Sequence, residues 1–236
     1  LYFTDHGGTD HDLTAGGGGT IAGSLSDNYI PIGTAADTIG NFVLGLTENN
    51  SIWIGSDPSA TTNTASANNA FGYGALDAIT TGDYNDAFGH LALSANTTGV
   101  RNTAMGYAAL YNNAGGTNNV ALGMETLRDG TGHTYNTAVG YNAMLSMGGN
   151  VVGNVAVGGF ALYYPSGNYN KAVGYDALKG AGAGTRTAYN NVAIGREALL
   201  DITSGYGNAG LGYQSLANIT TGYSNVLIGD SAADGV

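Results

Sequence analysis

The stretch NTAMGYAALYNNAGGTNNVALG, residues 102–123, contains the repeat that decides the fold. It opens with N-T-A-M-G, and the same pattern returns 17 residues later as N-V-A-L-G. The general form N-x-A-x-G-x-x-A-L runs from Asn68 to the end of the chain, and its glycines are 17 residues apart in six of nine intervals, with 18, 16 and 21 in the others. A fixed short period is typical of proteins that stack one structural unit on the next.

Each unit predicts short extended segments joined by turns. In N-x-A-x-G, small or apolar residues alternate with others, which indicates a short strand with one face inward. The following x-x-A-L predicts a second short strand, and triplets such as Thr80-Thr81-Gly82 predict turns that need a glycine at positive φ. The sequence therefore predicts an all-β solenoid whose coil is either one 17-residue unit or a pair of such units.

The asparagine that leads each unit is the most regular feature of the repeat. Stacked coils would bring these side chains about 4.8 Å apart, so that their amides form a ladder that satisfies buried polar groups. We interpret the asparagines as structural and not as chemically active. The ten positions are Asn68, Asn85, Asn102, Asn119, Asn136, Asn154, Asn170, Asn191, Asn208 and Asn225.

A second alternation repeats every two units and indicates a super-period of twice 17. The residue after the motif glycine is tyrosine in every other unit, whereas the units between carry residues such as His90 and Arg196. The tyrosines predict one aromatic strip that either packs at a subunit seam or faces solvent as a binding surface. They are Tyr73, Tyr107, Tyr141, Tyr175 and Tyr213.

Composition excludes several classes of protein. Glycine supplies 41 of 236 residues and charged residues only 10 %, which is unlike an ordinary globular enzyme. The net charge of −11 disfavours nucleic acid and anionic membrane surfaces, and no apolar run is long enough to span a bilayer. The chain shows no signal-peptide pattern. It also has no cysteine ligands and no phosphate-loop motif, so we expect no metal and no cofactor.

The repeat divides the chain into three regions. Residues 1–40 form a glycine-rich connector, residues 41–67 contain irregular coils with two weak repeat forerunners, and residues 68–236 form the ten-unit array. The forerunners are residues 41–45 (NFVLG) and 51–55 (SIWIG). The last unit stops inside the repeat, which indicates truncation or processing. Because alanine-rich coils have a thin interior, we expect a closed homo-oligomer, most simply a trimer.

The units NTAMGYAALYNNAGGTNNVALG and NTAVGYNAM resemble the repeats of bacteriophage tail-fibre proteins, and the opening LYFTD resembles a short segment that often precedes glycine-rich stretches in those proteins. The repeats are also similar in style to the head repeats of trimeric autotransporter adhesins, although those are shorter than 17 residues. The resemblance implies an elongated homotrimeric fibre in the virion that binds a host-surface glycan or protein. A bacterial surface adhesin or extracellular filament is the alternative, and a polysaccharide-depolymerising tailspike is a third.

Candidate chemical groups are few. Asp5, His6 and the Asp10-His11-Asp12 run lack the ligand spacing of a zinc site and are interpreted as part of a linker. Glu125 and Glu197 occupy the same repeat position in units that are four apart, too far for a glycosidase pair in a stack of coils. His90 and His133 are isolated. We therefore predict that the chain is not an enzyme.

Overall fold

A computed structural model describes residues 2–4, 10–12, 45–48, 50–54, 64–145, 149–164, 167–180 and 187–231. All regular secondary structure in these ranges is β. Strands β1 (Tyr2–Thr4) and β2 (Asp10–Asp12) pair antiparallel as a separate two-stranded sheet. The other strands form one sheet of twelve in strict sequence order. The predicted connector, residues 1–40, otherwise lies outside the described residues.

The twelve-stranded sheet has one short strand per coil. Strand β3 (Gly45–Glu48) pairs antiparallel with β4 (Ser51–Ile54), and every later pairing is parallel. The later strands are β5 (Asn69–Phe71), β6 (Asp86–Phe88), β7 (Thr103–Met105), β8 (Val120–Leu122), β9 (Thr137–Val139), β10 (Val155–Val157), β11 (Lys171–Val173), β12 (Val192–Ile194), β13 (Ala209–Leu211) and β14 (Val226–Ile228).

The coil is one 17-residue unit, which settles the choice between one unit and two. Ala70 pairs with Ala87 and Ala87 with Ala104, so each unit lies directly on the next. The all-β solenoid predicted from the repeat is confirmed. The irregular intervals between motif glycines leave the strand register unchanged, since Ala156 still pairs with Ala138 and Ala172. The extra or missing residues are therefore accommodated outside the strands.

The predicted second strand in each unit is wrong. The x-x-A-L segment is a turn in which alternate residues have left-handed dihedrals, for example Leu91 and Leu93 with φ of 60° and 51°. It still bonds to both neighbouring coils: the Leu91 N–H donates to the Tyr73 carbonyl and the Leu93 N–H to the Ala109 carbonyl. The segment thus keeps its backbone satisfied without strand geometry.

The predicted role of the turn glycines is also wrong. Gly82, Gly99, Gly205 and Gly222 do not have positive φ. A Cβ at Gly82 would instead collide with the Gly99 carbonyl oxygen of the next coil, so glycine is needed for close approach of backbones. Positive φ belongs to the motif glycines, such as Gly106 at 134°.

The core is one thin column of small side chains. Most coils contribute two buried alanines and one leucine, and those of the coil at 85–101 are Ala87, Ala92 and Leu93, with Asn96 buried beside them. Thr126 and Ser215 replace the second alanine in two coils, and Met144 replaces the leucine in another. At the first coil Trp53 occupies the alanine position and is buried. Strand β3 pairs with the outer edge of β4, so β3 and β14 are the two edge strands of the described sheet. Of the forerunners, residues 51–54 open the parallel stack, whereas residues 41–44 lie outside the described residues and Gly45 begins the antiparallel strand β3.

Candidate binding surfaces

The ten lead asparagines form a continuous ladder inside the stack. Nine are buried, with 0–1 % of their surface exposed, and the tenth, Asn225, is exposed. Each side-chain Oδ1 accepts the backbone N–H of the asparagine in the next coil, at N···O distances of 2.8–3.1 Å. The ladder begins one coil earlier at Ser51, whose hydroxyl accepts the Asn68 N–H at 2.9 Å.

The ladder asparagines also close their own coils. Nδ2 of Asn119 donates to the His133 carbonyl 14 residues later, and Nδ2 of Asn136 donates to the Val151 carbonyl at 2.8 Å. The same bond recurs in every described coil from Asn68 to Asn208. One side chain therefore holds the ends of its coil together and joins that coil to the next, and the nine buried ladder asparagines use their side chains for these contacts within the stack.

His133 fills the interior at a position where most other coils have glycine. In the preceding coil the turn glycine is Gly116 and the buried side chain three residues earlier is Asn113. In the coil of residues 119–135 the two are exchanged, so Gly130 leaves the space that the His133 ring occupies. His133 Nε2 lies 2.8 Å from the Asp129 carbonyl, and the Val151 N–H points at Nδ1 at 3.3 Å. This arrangement fits the neutral imidazole with its proton on Nε2.

We expect the free energy of unfolding to decrease as the pH drops below the range in which histidine ordinarily titrates, because of His133. Burial lowers the pKa of His133 from 6.5, so the unfolded chain binds a proton that the folded chain refuses. The stabilisation is complete above about pH 6.5 and is lost as the pH falls toward the lowered value. The measurement is the unfolding free energy against pH for the native chain and for His133→Gln. Parallel curves between about pH 7 and 5 would contradict this.

The predicted tyrosine strip is exposed on the outside of the stack. Tyr73 and Tyr107 are not isolated, because the His90 ring lies between them at 5.6 and 5.4 Å. Further along, the Phe160 ring packs edge-on between Tyr141 and Tyr175, at 5.2 and 5.7 Å. The Arg196 guanidinium lies over the Tyr213 ring at 5.5 Å. The strip is therefore interleaved with other flat groups, and it leaves one face of polar and aromatic groups exposed to solvent.

Sequence reasoning did not single out a second aromatic column. Tyr189, Tyr206 and Tyr223 occupy one repeat position in three successive coils and form the tyrosine stack. Their ring centroids are 5.0 and 5.5 Å apart and their planes differ by 3° and 12°. The signal was available, since the three residues are 17 apart.

An outer apolar column runs along the sheet. It consists of the last residue of each strand, which points away from the core and is partly or largely exposed, as with Met105 at 50 % and Ile228 at 72 %. Phe71 and Phe88 stack within it at 4.8 Å. Its members are Phe71, Phe88, Met105, Leu122, Val139, Val157, Val173, Ile194, Leu211 and Ile228. Ten rows at sheet spacing extend roughly 43 Å.

Comparison with protein-family models, with curated proteins and with solved structures finds no match for this chain. The surfaces described above are therefore interpreted from their own geometry and chemistry.

The acidic residues and histidines considered as candidate sites, and interpreted as non-catalytic and non-metal-binding, form no assembled site among the described residues. Glu125 and Glu197 lie four coils apart, roughly 19 Å at sheet spacing. Glu125 pairs with Arg128 at 2.9 Å, and hydrogen bonds from Gln214 and Arg196 lower the pKa of Glu197. A glycosidase acid needs the opposite shift. Asp5 and His6 lie outside the described residues, and of Asp10–Asp12 only the backbone is described.

Metal-binding clusters and membrane-spanning helices are both absent from the described ranges. No group of three His, Asp or Glu side chains that could hold a metal ion is found there. No helix in the described part of the chain is long and apolar enough to cross a membrane.

Proposed function

We propose that this chain is a structural and adhesive segment of an elongated homotrimeric fibre, of the kind found in phage tail fibres, that holds a binding surface against a host cell. The observation that carries the proposal is the outer apolar column. A row of large apolar side chains along one face, exposed in the single chain, is the kind of surface that proteins bury against a partner.

A second copy of the chain is the partner that fits this column best. The column has the same period as the coil, so an identical column in another copy would match it row by row. The alanine core is thin, and contact between copies would bury the larger apolar side chains that the single coil leaves outside. Three copies around an axis would give each column a neighbour on either side.

The adhesive part of the proposal rests on the tyrosine strip, the tyrosine stack and the repeat resemblance. Aromatic groups held rigidly on a rod are suited to binding, because little conformational entropy is lost when they make contact. In this proposal the fibre belongs to the virion and the chain binds without catalysis. Incubation with host polysaccharide would release no reducing ends, whereas their release would favour the depolymerising tailspike.

The trimer is tested by the solution mass and small-angle scattering of the purified chain. We expect three chains in a rod, and we expect Met105→Lys combined with Ile194→Lys to give monomers because lysine ammonium groups cannot be buried in the seam. Thr98→Lys, in an exposed turn, is the matched control and should remain trimeric. A native chain that is a monomer would overturn the trimer, and a trimeric double variant would place the seam on another face.

A further inference from the structure

A cleft lies where the length of the coil changes abruptly. The unit led by Asn154 is the shortest of the array, and the next unit, which runs from Asn170 to the residue before Asn191, is the longest. Between them is a cleft of about 400 Å³ lined by Gly167, Asn168, Tyr169, Thr187, Tyr189 and Asn190. This volume is in the range of small-molecule sites, and the cleft is largely open to solvent. The cleft is distinct from the tyrosine strip and from the outer apolar column.

Two tyrosine rings supply the apolar surface of the cleft. Tyr189 is the first ring of the tyrosine stack, so Tyr206 supports one of its faces. The same repeat position one coil earlier is Asn168, and the stack therefore ends at the cleft. Tyr169 is 52 % exposed, and its ring lies against Gly153 of the preceding coil. Both rings are held by the fold yet remain accessible.

The remaining lining groups are polar and uncharged. Asn168 and Asn190 bring side-chain amides, and Thr187 brings a hydroxyl. Thr187 and Asn190 are exposed. The Asn168 carbonyl accepts the Asn190 N–H at 3.1 Å, and the Asn168 Oδ1 accepts the Val152 N–H at 2.8 Å. These bonds fix the position of Asn168 in the lining of the cleft.

The chemistry selects a class of ligand. Aromatic faces pack against flat C–H surfaces, while amides and a hydroxyl bond to hydroxyl groups around the edge of a ring. None of the described residues that line the cleft is charged, although the Lys171 ammonium donates to the Tyr169 carbonyl at 2.7 Å beside it; the chain as a whole carries a charge of −11, which disfavours anions. An uncharged pyranose ring has the required C–H face and hydroxyl rim.

We propose that the cleft between Tyr169 and Tyr189 binds a neutral hexopyranose unit of a glycan. The two rings provide the stacking surfaces, and the amides of Asn168 and Asn190 with the Thr187 hydroxyl bond the sugar hydroxyls. This proposal gives the chemical class of the partner for the adhesive function proposed above. Only the biological source of the glycan depends on that function.

The test is to titrate the protein with the methyl glycosides of glucose, galactose and mannose and to detect binding by saturation-transfer NMR. Sialic acid serves as the charged comparison. We expect saturable binding of at least one neutral glycoside and none of sialic acid. Tyr189→Ala and Tyr169→Ala should each weaken binding by about tenfold or more. Tyr135→Ala is the matched control, because Tyr135 occupies the Tyr169 position in another coil, has a similar φ and is also exposed.

Any of three results would overturn the proposed sugar site. These are no saturable binding of any neutral glycoside, equal affinity of both cleft variants and the native chain, or a loss of affinity in Tyr135→Ala equal to that in the cleft variants. The circular dichroism spectrum and melting temperature of each variant show that the fold is retained. The outcome is separable from that of the fibre. A monomer that binds the sugar through Tyr189 would contradict the trimer and support the sugar site. A trimer that binds no sugar would support the trimer and contradict the sugar site.

Discussion

Gly123→Ala is expected to destabilise the fold by about 4 kcal/mol, the sum of backbone strain and a collision that side chains cannot relieve. Gly123 has a φ of 133°, where L-residues are strained. A Cβ at this position would lie 2.5 Å from the Gly140 carbonyl oxygen and 2.8 Å from its carbon. Both atoms belong to the backbone of the next coil, so the coils themselves must separate. Urea unfolding followed by circular dichroism measures the loss.

The matched control for this substitution is Gly115→Ala. Gly115 lies in the adjacent coil, is exposed and does not have a positive φ. The nearest atom to its added Cβ is the Thr98 hydroxyl oxygen at 3.3 Å. We expect a change of less than about 1 kcal/mol. Equal losses for the two variants would show that close packing of the motif glycines does not limit stability.

Asn136→Leu is expected to cost about 3 kcal/mol, because it removes a side chain that satisfies buried groups in three coils. Its Nδ2 donates to the Asn119 Oδ1 and to the Val151 carbonyl, and its Oδ1 accepts the Asn154 N–H at 2.9 Å. After substitution the Asn154 N–H and the Val151 carbonyl lose these partners in a buried setting. The measurement is again the unfolding free energy in urea.

Asn112→Leu makes the same chemical change outside the ladder. Asn112 is half-buried, and its side chain makes one bond of 3.3 Å, to Asp129. The expected loss is below about 1 kcal/mol. If Asn136→Leu were as mild as Asn112→Leu, the ladder would contribute order along the stack but little free energy.

The inner part of the coil was predictable because it recurs with few exceptions. An asparagine at each ladder position and a small residue at most core positions follow from one physical requirement, the stacking of similar coils, and the 17-residue period shows it directly. The insertion in the unit led by Asn170 did not obscure it, since the added residues leave Ala172 paired with Ala193. The length of the coil, one unit and not two, needed the strand pairing.

The turn half of the coil was not predictable in the same way. Apolar spacing indicates which residues are buried, but it does not distinguish a strand from a turn with alternating left-handed residues such as Leu91 and Leu93. The need for glycine in the T-T-G triplet is predicted from turn dihedral angles. One sequence alone does not show how near the Gly99 carbonyl comes to Gly82, which is the actual reason. Such contacts between coils exist only once the stack is built.

The candidate binding surfaces were predictable only in part. The tyrosine strip followed from its alternation, whereas the cleft depends on a step between the shortest unit and the longest one. The tyrosine stack involves only three coils, too few to stand out beside a repeat of ten. Exposed positions vary between coils because stacking does not constrain them. For the same reason, local binding surfaces can form at single coils.

The asparagine ladder has a mechanical consequence. Each strand in the parallel stack contacts only the strand before it and the strand after it, and each ladder side chain joins only adjacent coils. A force pulling one end of the chain along the rod therefore loads a single coil junction at a time, and the rest of the rod remains intact. Yielding would come in steps of one coil, most of them freeing 17 residues, or roughly 58 Å of extended chain. A rod of this kind dissipates tension gradually and does not break at a single point.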